Sequence, residues 1–324
     1  MRGWTIGVAL LITTGGAMAQ VPPGTPGLED QTRRDAAART AFEQMPDTPG
    51  TGRYPAIKLV EPTLPGHVVY RPRDLNRLGK RKLPILVWGN GGCSDDGASA
   101  RHHLAQIASH GYLAIAPGRV LSGPGAIKPP PRQSGEAADT ALRAETSYQQ
   151  LLAGIDWAVA ENERKGSPYY RRIDTAKVAV AGHSCGGLQA IQAGADPRVK
   201  TVIVHNSGVF TDGSNPIRGM KVDKSLLNKL HTPVLYVLGG RPDVAWVNGT
   251  DDFTRINHVP AALIDGPVGH GGTFRERNGG DVARFALDWL EWQLRGDSHA
   301  AKTFVGPDCR LCADAKWRFE RKAL

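Results

Sequence analysis

A serine lies within a glycine-flanked pentapeptide whose residue types and spacing fit nucleophilic catalysis. The segment Gly182-His183-Ser184-Cys185-Gly186 has the form G-x-S-x-G. An apolar run precedes it and a helical pattern follows it, the strand–turn–helix setting that exposes a nucleophile at a sharp turn. Small residues are needed on both sides because the turn is strained and the helix packs close to it. Ser184 is therefore the predicted nucleophile, since Cys185 is out of register with the glycines.

A nucleophilic serine requires a general base, and the base requires a carboxylate that orients it. In this setting the chain order is serine, acid, histidine. Asp243 and His270 each come shortly after the end of an apolar strand pattern. Because strand ends meet at one edge of a parallel sheet, both side chains are expected to converge on Ser184.

Other acids and histidines are weaker candidates for the same roles. Asp251 and Asp252 are fallback acids, but they lie farther from the strand end and resemble the start of a helix. The remaining histidines are assigned structural or solvated roles; those considered are His102, His103, His183, His205 and His299.

A second glycine-rich turn fits an oxyanion site. The sequence Trp88-Gly89-Asn90-Gly91-Gly92-Cys93 follows the third strand pattern. Glycines allow backbone N–H groups to approach a tetrahedral oxygen without a Cβ in the way. The predicted donors are the N–H groups of Gly92 and of Cys185, the residue after the nucleophile.

Alternating strand and helix patterns must position these residues. The predicted strands are 56–60, 67–70, 85–88, 112–116, 177–181, 201–205, 234–238 and 261–264. The predicted helices are 32–43, 98–109, 138–162, 186–193, 224–230 and 281–294. Near-continuous apolar strands separated by helices indicate an α/β domain with a mostly parallel eight-stranded sheet and helices on both faces.

The N-terminus predicts export. A cationic start, an apolar run and Ala17-Met18-Ala19 describe a signal peptide over residues 1–19, cleaved near Ala19. The apolar run is too short for a membrane span, which needs about 20 residues. We expect a secreted or periplasmic protein without stable membrane insertion, with an N-terminal arm at 20–52, a catalytic domain at 53–298 and a tail at 299–324.

Composition excludes several classes of protein. The 324 residues are 40% hydrophobic with four cysteines, which excludes a disordered chain, a coiled coil and a disulfide-dense small scaffold. The net charge of +9 leaves nucleic-acid binding open at first. The basic residues are scattered without an aromatic-interleaved stripe, so no nucleic-acid partner is expected.

Residues from Tyr54 to Arg295 resemble the α/β-hydrolase fold, in particular secreted esterases without a large cap, similar to dienelactone-hydrolase-like and cutinase-like enzymes. The nucleophile, acid and histidine positions match this pattern. The chain departs from it at Asn90, where a histidine is more usual, and at Cys185, where related polyester hydrolases often carry methionine. The resemblance implies hydrolysis of esters.

The four cysteines are disulfide candidates in an oxidising compartment. The fold implied by the resemblance brings Cys93 beside Cys185, so a bridge is expected between the oxyanion loop and the nucleophile turn. Cys309 and Cys312 form a C-x-x-C in the tail, read as a local disulfide because no further zinc ligands lie nearby. Crossed pairings stay open, since four cysteines allow three connectivities.

The sequence thus predicts a serine hydrolase that acts on a small-molecule or polymeric ester, with no metal and no organic cofactor. Phe210 and Trp246 follow strand ends and are candidates for an apolar substrate wall, with packing in the core as the other role for each. Two alternatives remain: the same triad acting on amides or peptides, and a non-catalytic binding protein on the same fold.

Overall fold

A computed structural model describes residues 39–127 and 142–324. These residues belong to one compact unit, Ala38–Leu324. The predicted signal peptide at 1–19, most of the predicted arm and the segment 128–141 lie outside the described residues.

The described residues form a mixed α/β protein built on a nine-stranded sheet, which confirms the predicted α/β class. The strands are β1 (Ala56–Leu59), β2 (His67–Pro72), β3 (Leu83–Gly89), β4 (Leu113–Pro117), β5 (Ile173–His183), β6 (Val199–His205), β7 (Val234–Leu238), β8 (Ala261–Asp265) and β9 (Arg318–Lys322). Their order across the sheet is β1-β2-β4-β3-β5-β6-β7-β8-β9. Strands β4, β3, β5, β6, β7 and β8 are paired in parallel, so their carboxyl ends share one edge.

Both faces of the sheet are buried. Successive side chains on each strand point to opposite sides, so each central strand contributes to two hydrophobic clusters. In β3, Ile85 and Val87 belong to one hydrophobic cluster, whereas Leu86 and Trp88 belong to the other. This explains why the central strands are almost entirely apolar.

Helices cover both faces. They are α1 (Arg101–Ser109), α2 (Tyr148–Glu163), α3 (Cys185–Ala193), α4 (Trp246–Arg255), α5 (Gly280–Arg295) and α6 (Ser298–Ala301). Helices α2 and α3 bury apolar side chains in the first cluster, and α1 and α5 bury theirs in the second. Within the described ranges, no helix combines the length and the apolar character needed to cross a membrane.

The described C-terminal residues add a ninth strand to the sheet, which corrects the prediction of eight strands. Strand β9 pairs antiparallel with β8 at the sheet edge. Its sequence, RFERK, contains one apolar residue and therefore carries no strand pattern of the kind used for the other eight. Just before it, Trp317 packs edge-to-face on Phe285 of α5, with ring centroids 4.9 Å apart.

Three helix predictions also need correction. Helix α2 begins at Tyr148, not at residue 138, because Ser147 forms a capping box with Gln150 and residues 142–147 are not helical. Helix α4 begins at Trp246, and not at Asp251 and Asp252, which resemble a helix start in the sequence. The short helix predicted at 224–230 is a 3₁₀ helix, Lys224–Lys229.

The described end of the N-terminal arm is helical over residues 39–44 and packs on α1. The buried guanidinium of Arg101 donates to the carbonyl oxygens of Phe42 and Met45, the latter at 2.9 Å. His102 donates through Nε2 to the carbonyl oxygen of Pro46 at 3.1 Å. Side chains of α1 therefore hold the arm by hydrogen bonds to its main-chain carbonyl oxygens.

Candidate active site

Ser184 occupies a strained turn between β5 and α3. Its backbone has φ 55° and ψ −124°, a left-handed conformation that costs a non-glycine residue about 1–3 kcal/mol. The turn is held on both sides, since the Ser184 N–H donates to the carbonyl of His205 at 3.0 Å and Ser207 Oγ donates to the Ser184 carbonyl at 2.6 Å. Such strain is typical of functional positions. The sharp turn places the hydroxyl at the edge of the sheet where the parallel strands end.

The flanking glycines are required by close backbone approach. A Cβ on Gly182 would collide with the backbone of Gly186, and a Cβ on Gly186 would collide with Gly89 at the end of β3. The spacing G-x-S-x-G therefore has a steric cause in this fold.

His270 lies between the serine and an acid. Its Nε2 is 2.9 Å from Ser184 Oγ, and its Nδ1 is 2.7 Å from Asp243 Oδ1. A carboxylate only accepts, so Nδ1–H donates to Asp243, and in the neutral ring Nε2 is left to accept the hydroxyl proton of Ser184. The three residues singled out from the sequence thus form one hydrogen-bonded chain.

Asp243 is buried and held by four donors. Besides His270, Oδ1 accepts from the Ala245 N–H at 2.9 Å, and Oδ2 accepts from Asn206 Nδ2 at 2.9 Å and the Gly239 N–H at 3.1 Å. Burial by itself raises the pKa of Asp243, but the hydrogen bonds from His270, Ala245 and Asn206 together lower that pKa below its ordinary value. The side chain therefore remains a carboxylate at neutral pH.

Asn206 is a site residue that sequence reasoning missed. It directly follows β6 with φ 45°, and its Nδ2 also donates to the carbonyl of Gly269 at 2.9 Å. It therefore links the loop of the acid to the loop of the histidine. Its position at the carboxyl end of a strand between those of Ser184 and Asp243 is the signal that was available.

The fallback acids are engaged elsewhere. Asp252 is buried and pairs with Lys224 Nζ at 2.6 Å, and Asp251 pairs with Arg255 Nε at 2.7 Å. Asp265, at the end of β8, accepts from Trp246 Nε1 at 2.8 Å. None of these carboxylates contacts His270 among the described hydrogen bonds.

The predicted oxyanion donors lie on two adjacent turns. Gly92, with φ 66°, belongs to a short 3₁₀ turn, Gly91–Cys93, that follows β3. Cys185 is the first residue of α3, where backbone N–H groups have no partner within the helix. Gly92 and Ser184 line the same cavity, so the two turns border one space.

The two predicted cysteine pairs are at disulfide distance. The Cα atoms of Cys93 and Cys185 are 5.2 Å apart, and those of Cys309 and Cys312 are 4.9 Å apart. The first pair joins the oxyanion turn to the residue after Ser184. The carbonyl of Cys93 also accepts from the N–H groups of Glu145 and Thr146, both at 3.0 Å, which fixes the segment before α2 to the same point.

The two cross-links are expected to differ strongly in their contribution to stability. Replacing both Cys93 and Cys185 by alanine should lower the free energy of unfolding by about 4–5 kcal/mol, since a link across 92 residues restricts the unfolded chain most. Replacing Cys309 and Cys312, only 3 residues apart, should cost about 1–2 kcal/mol. Urea unfolding of both double variants measures the difference, and equal losses or the reverse order would contradict this account.

Ser184 and His270 line a cavity of about 930 Å³. Its aromatic walls are Trp88, His183 and Phe274, and its charged residues are Arg39, Arg143, Arg275, Asp96 and Glu145. The predicted wall residues Phe210 and Trp246 are not part of its lining. Both pack instead against the hydrophobic core, which is the alternative role considered for each, and Trp246 Nε1 donates to Asp265.

Comparison with known proteins gives one distant relative. No family model matches the chain. The protein named Hydrolase ffsE from Aspergillus flavipes is 28% identical over 144 residues, which are 44% of this chain and 29% of that relative. This chain therefore aligns with less than a third of the relative's length. Among residues 39–127 and 142–324, no group of three or more His, Cys, Asp or Glu side chains is arranged to hold a metal ion.

Proposed function

We propose that the protein is a secreted serine hydrolase of the α/β-hydrolase fold that cleaves carboxylic esters through an acyl-enzyme. The observation that carries the proposal is the hydrogen-bonded chain Ser184–His270–Asp243, with contacts of 2.9 and 2.7 Å. Two further observations support the proposal. The three residues lie at or after the carboxyl ends of parallel strands, and the distant relative is named a hydrolase.

In the proposed reaction, Ser184 Oγ attacks the ester carbonyl while His270 Nε2 takes the hydroxyl proton. Asp243 orients the ring and stabilises the imidazolium that forms. The alkoxide then leaves with the proton held by His270. Water, activated by the same nitrogen, attacks the acyl-serine ester, and the carboxylate product is released.

Negative charge develops on the carbonyl oxygen in both steps. The N–H groups of Gly92 and Cys185 are the proposed donors to that oxygen. Loss of one such donor typically raises the barrier by about 3 kcal/mol. The cross-link between Cys93 and Cys185 would keep the two donor turns at a fixed separation, because it joins one proposed donor residue, Cys185, to the neighbour of the other, Gly92.

The compartment is part of the proposal. Two cysteine pairs at disulfide distance suit an oxidising destination, in line with a leader at residues 1–19. N-terminal sequencing of the exported protein is expected to begin at Gln20.

A panel of p-nitrophenyl esters of increasing acyl length, paired with the matching p-nitroanilides, tests the reaction class. We expect the purified protein to hydrolyse the esters and to turn over each ester faster than its anilide. Faster turnover of the anilides would make the protein an amidase. Turnover of neither series would favour a binding protein that keeps the fold.

A further inference from the structure

His183, the residue before the serine, contacts both the loop of the base and the turn of the oxyanion site. Its Nε2 lies 2.7 Å from the main-chain carbonyl oxygen of His270. On the other side, its Nδ1 faces Gly91, where an added Cβ would lie 2.6 Å from that nitrogen. The imidazole of His183 therefore fills the space between the two loops that the reaction must keep in register.

The hydrogen bond fixes which nitrogen of His183 carries a proton. A carbonyl oxygen only accepts, so Nε2–H is the donor to His270. The acceptor is a main-chain atom of His270, so this contact restrains the main chain of the base and not its ring.

His183 packs against a buried cluster of rings. The cluster is formed by Trp88, His103, His205 and Phe274. Phe274 packs against His183 with ring centroids 4.8 Å apart and contacts the other three rings of the cluster at 5.1–5.5 Å. Trp88, His103 and His205 are fully buried. The ring of His183 thus rests on a packed surface that limits its rotation.

The same surroundings keep His183 uncharged. Burial, followed by the neighbouring His270, lowers the pKa of His183 to about 4. Burial and His183 lower the pKa of His103 to about 3. The rings of His183 and His270 are 5.3 Å apart, so a neutral neighbour avoids repulsion when His270 becomes an imidazolium.

We propose that His183 is a positioning residue, which holds the main chain of His270 through its Nε2–H and spaces that loop from the oxyanion turn at Gly91. It acts through His270 and does not touch the reacting atoms. The proposal rests on the proposed serine hydrolase activity and assigns a role to a histidine that the triad does not use.

Two variants of similar side-chain length separate hydrogen bonding from packing. His183→Met removes the donor, and His183→Gln places an amide N–H donor at a similar reach. We expect His183→Met to lower kcat by about 10- to 100-fold with KM changed less than about 2-fold, because a small misplacement of the base costs transition-state geometry more than substrate binding. His183→Gln should recover most of that loss.

Thermal melting of both variants reports whether the fold is kept. If His183→Met melts at too low a temperature to assay, His183→Phe, which keeps a ring on Phe274 without a donor, takes its place in the comparison. Equal kcat values for the Gln variant and the donor-less variant would overturn the proposal, as would a loss expressed mainly in KM. Absence of ester hydrolysis by the wild-type protein would instead contradict the proposed function, so the two failures are distinguishable.

Discussion

Replacing Ser184 with alanine is expected to lower kcat for ester hydrolysis by about 10⁶-fold. The change removes the hydroxyl that is hydrogen-bonded to His270 Nε2 and leaves Asp243 and His270 in place. Alanine at this position keeps the strained backbone that the neighbouring strands impose. Steady-state rates with a p-nitrophenyl ester, measured at enzyme concentrations high enough to detect the residual rate, give the value.

Ser225→Ala is the matched control for this substitution. Ser225 is exposed, lies in the 3₁₀ helix Lys224–Lys229 and does not line the cavity, so its replacement should leave the rate unchanged. A Ser184→Ala protein with wild-type activity would assign the hydrolysis to a different group.

Replacing Asp243 with asparagine is expected to lower kcat by about 10⁴-fold. All four groups around the carboxylate are donors: His270 Nδ1, Asn206 Nδ2 and the N–H groups of Gly239 and Ala245. An amide has only one accepting oxygen, so its NH₂ group must face donors whichever way it is turned. If it faces His270, the ring is pushed into the tautomer that cannot take the serine proton.

Asp251→Asn is the control for Asp243→Asn, and it also tests the alternative acid. Asp251 pairs with Arg255 and with Lys224, both at 2.7 Å, at the partly exposed face of α4, and it neither lines the cavity nor contacts His270 among the described hydrogen bonds. The control should keep full activity. A larger loss of kcat for Asp251→Asn than for Asp243→Asn would contradict the assignment of the acid.

The positions of the triad could be predicted because they depend on local patterns. Ser184 is marked by glycines that close packing requires, and Asp243 and His270 are marked by their place just after apolar strands. Parallel strands bring such places together at one edge, so sequence order alone was enough to propose contacts between residues 27 and 86 positions apart.

Features that depend on long-range packing could not be predicted in the same way. The orientation of Trp246 is decided by a hydrogen bond to Asp265 at the end of a neighbouring strand, which no local pattern encodes. Strand β9 is formed by pairing with β8 and not by its own composition, which is mostly charged. Asn206 follows a strand without any motif around it. Its role depends on hydrogen bonds to Asp243 and to Gly269 in the loop of His270, which only the fold brings near.

The contact of His183 also depends on long-range packing and could not be predicted from the sequence. In the sequence it is one of several histidines without an evident partner, because its hydrogen-bond acceptor is a main-chain carbonyl 87 residues away. Any residue provides a carbonyl oxygen, so the acceptor leaves no signature of its own in the sequence.

The central claim is that Ser184 is the nucleophile activated by His270, and covalent labelling tests it most directly. The protein is incubated with a fluorophosphonate probe, and the modified residue is located by mass spectrometry of the digested chain. The account predicts one probe per molecule, on the peptide that contains Ser184, and no labelling of Ser184→Ala. A probe bound to another residue, or an ester-hydrolysing protein that takes up no probe, would contradict it.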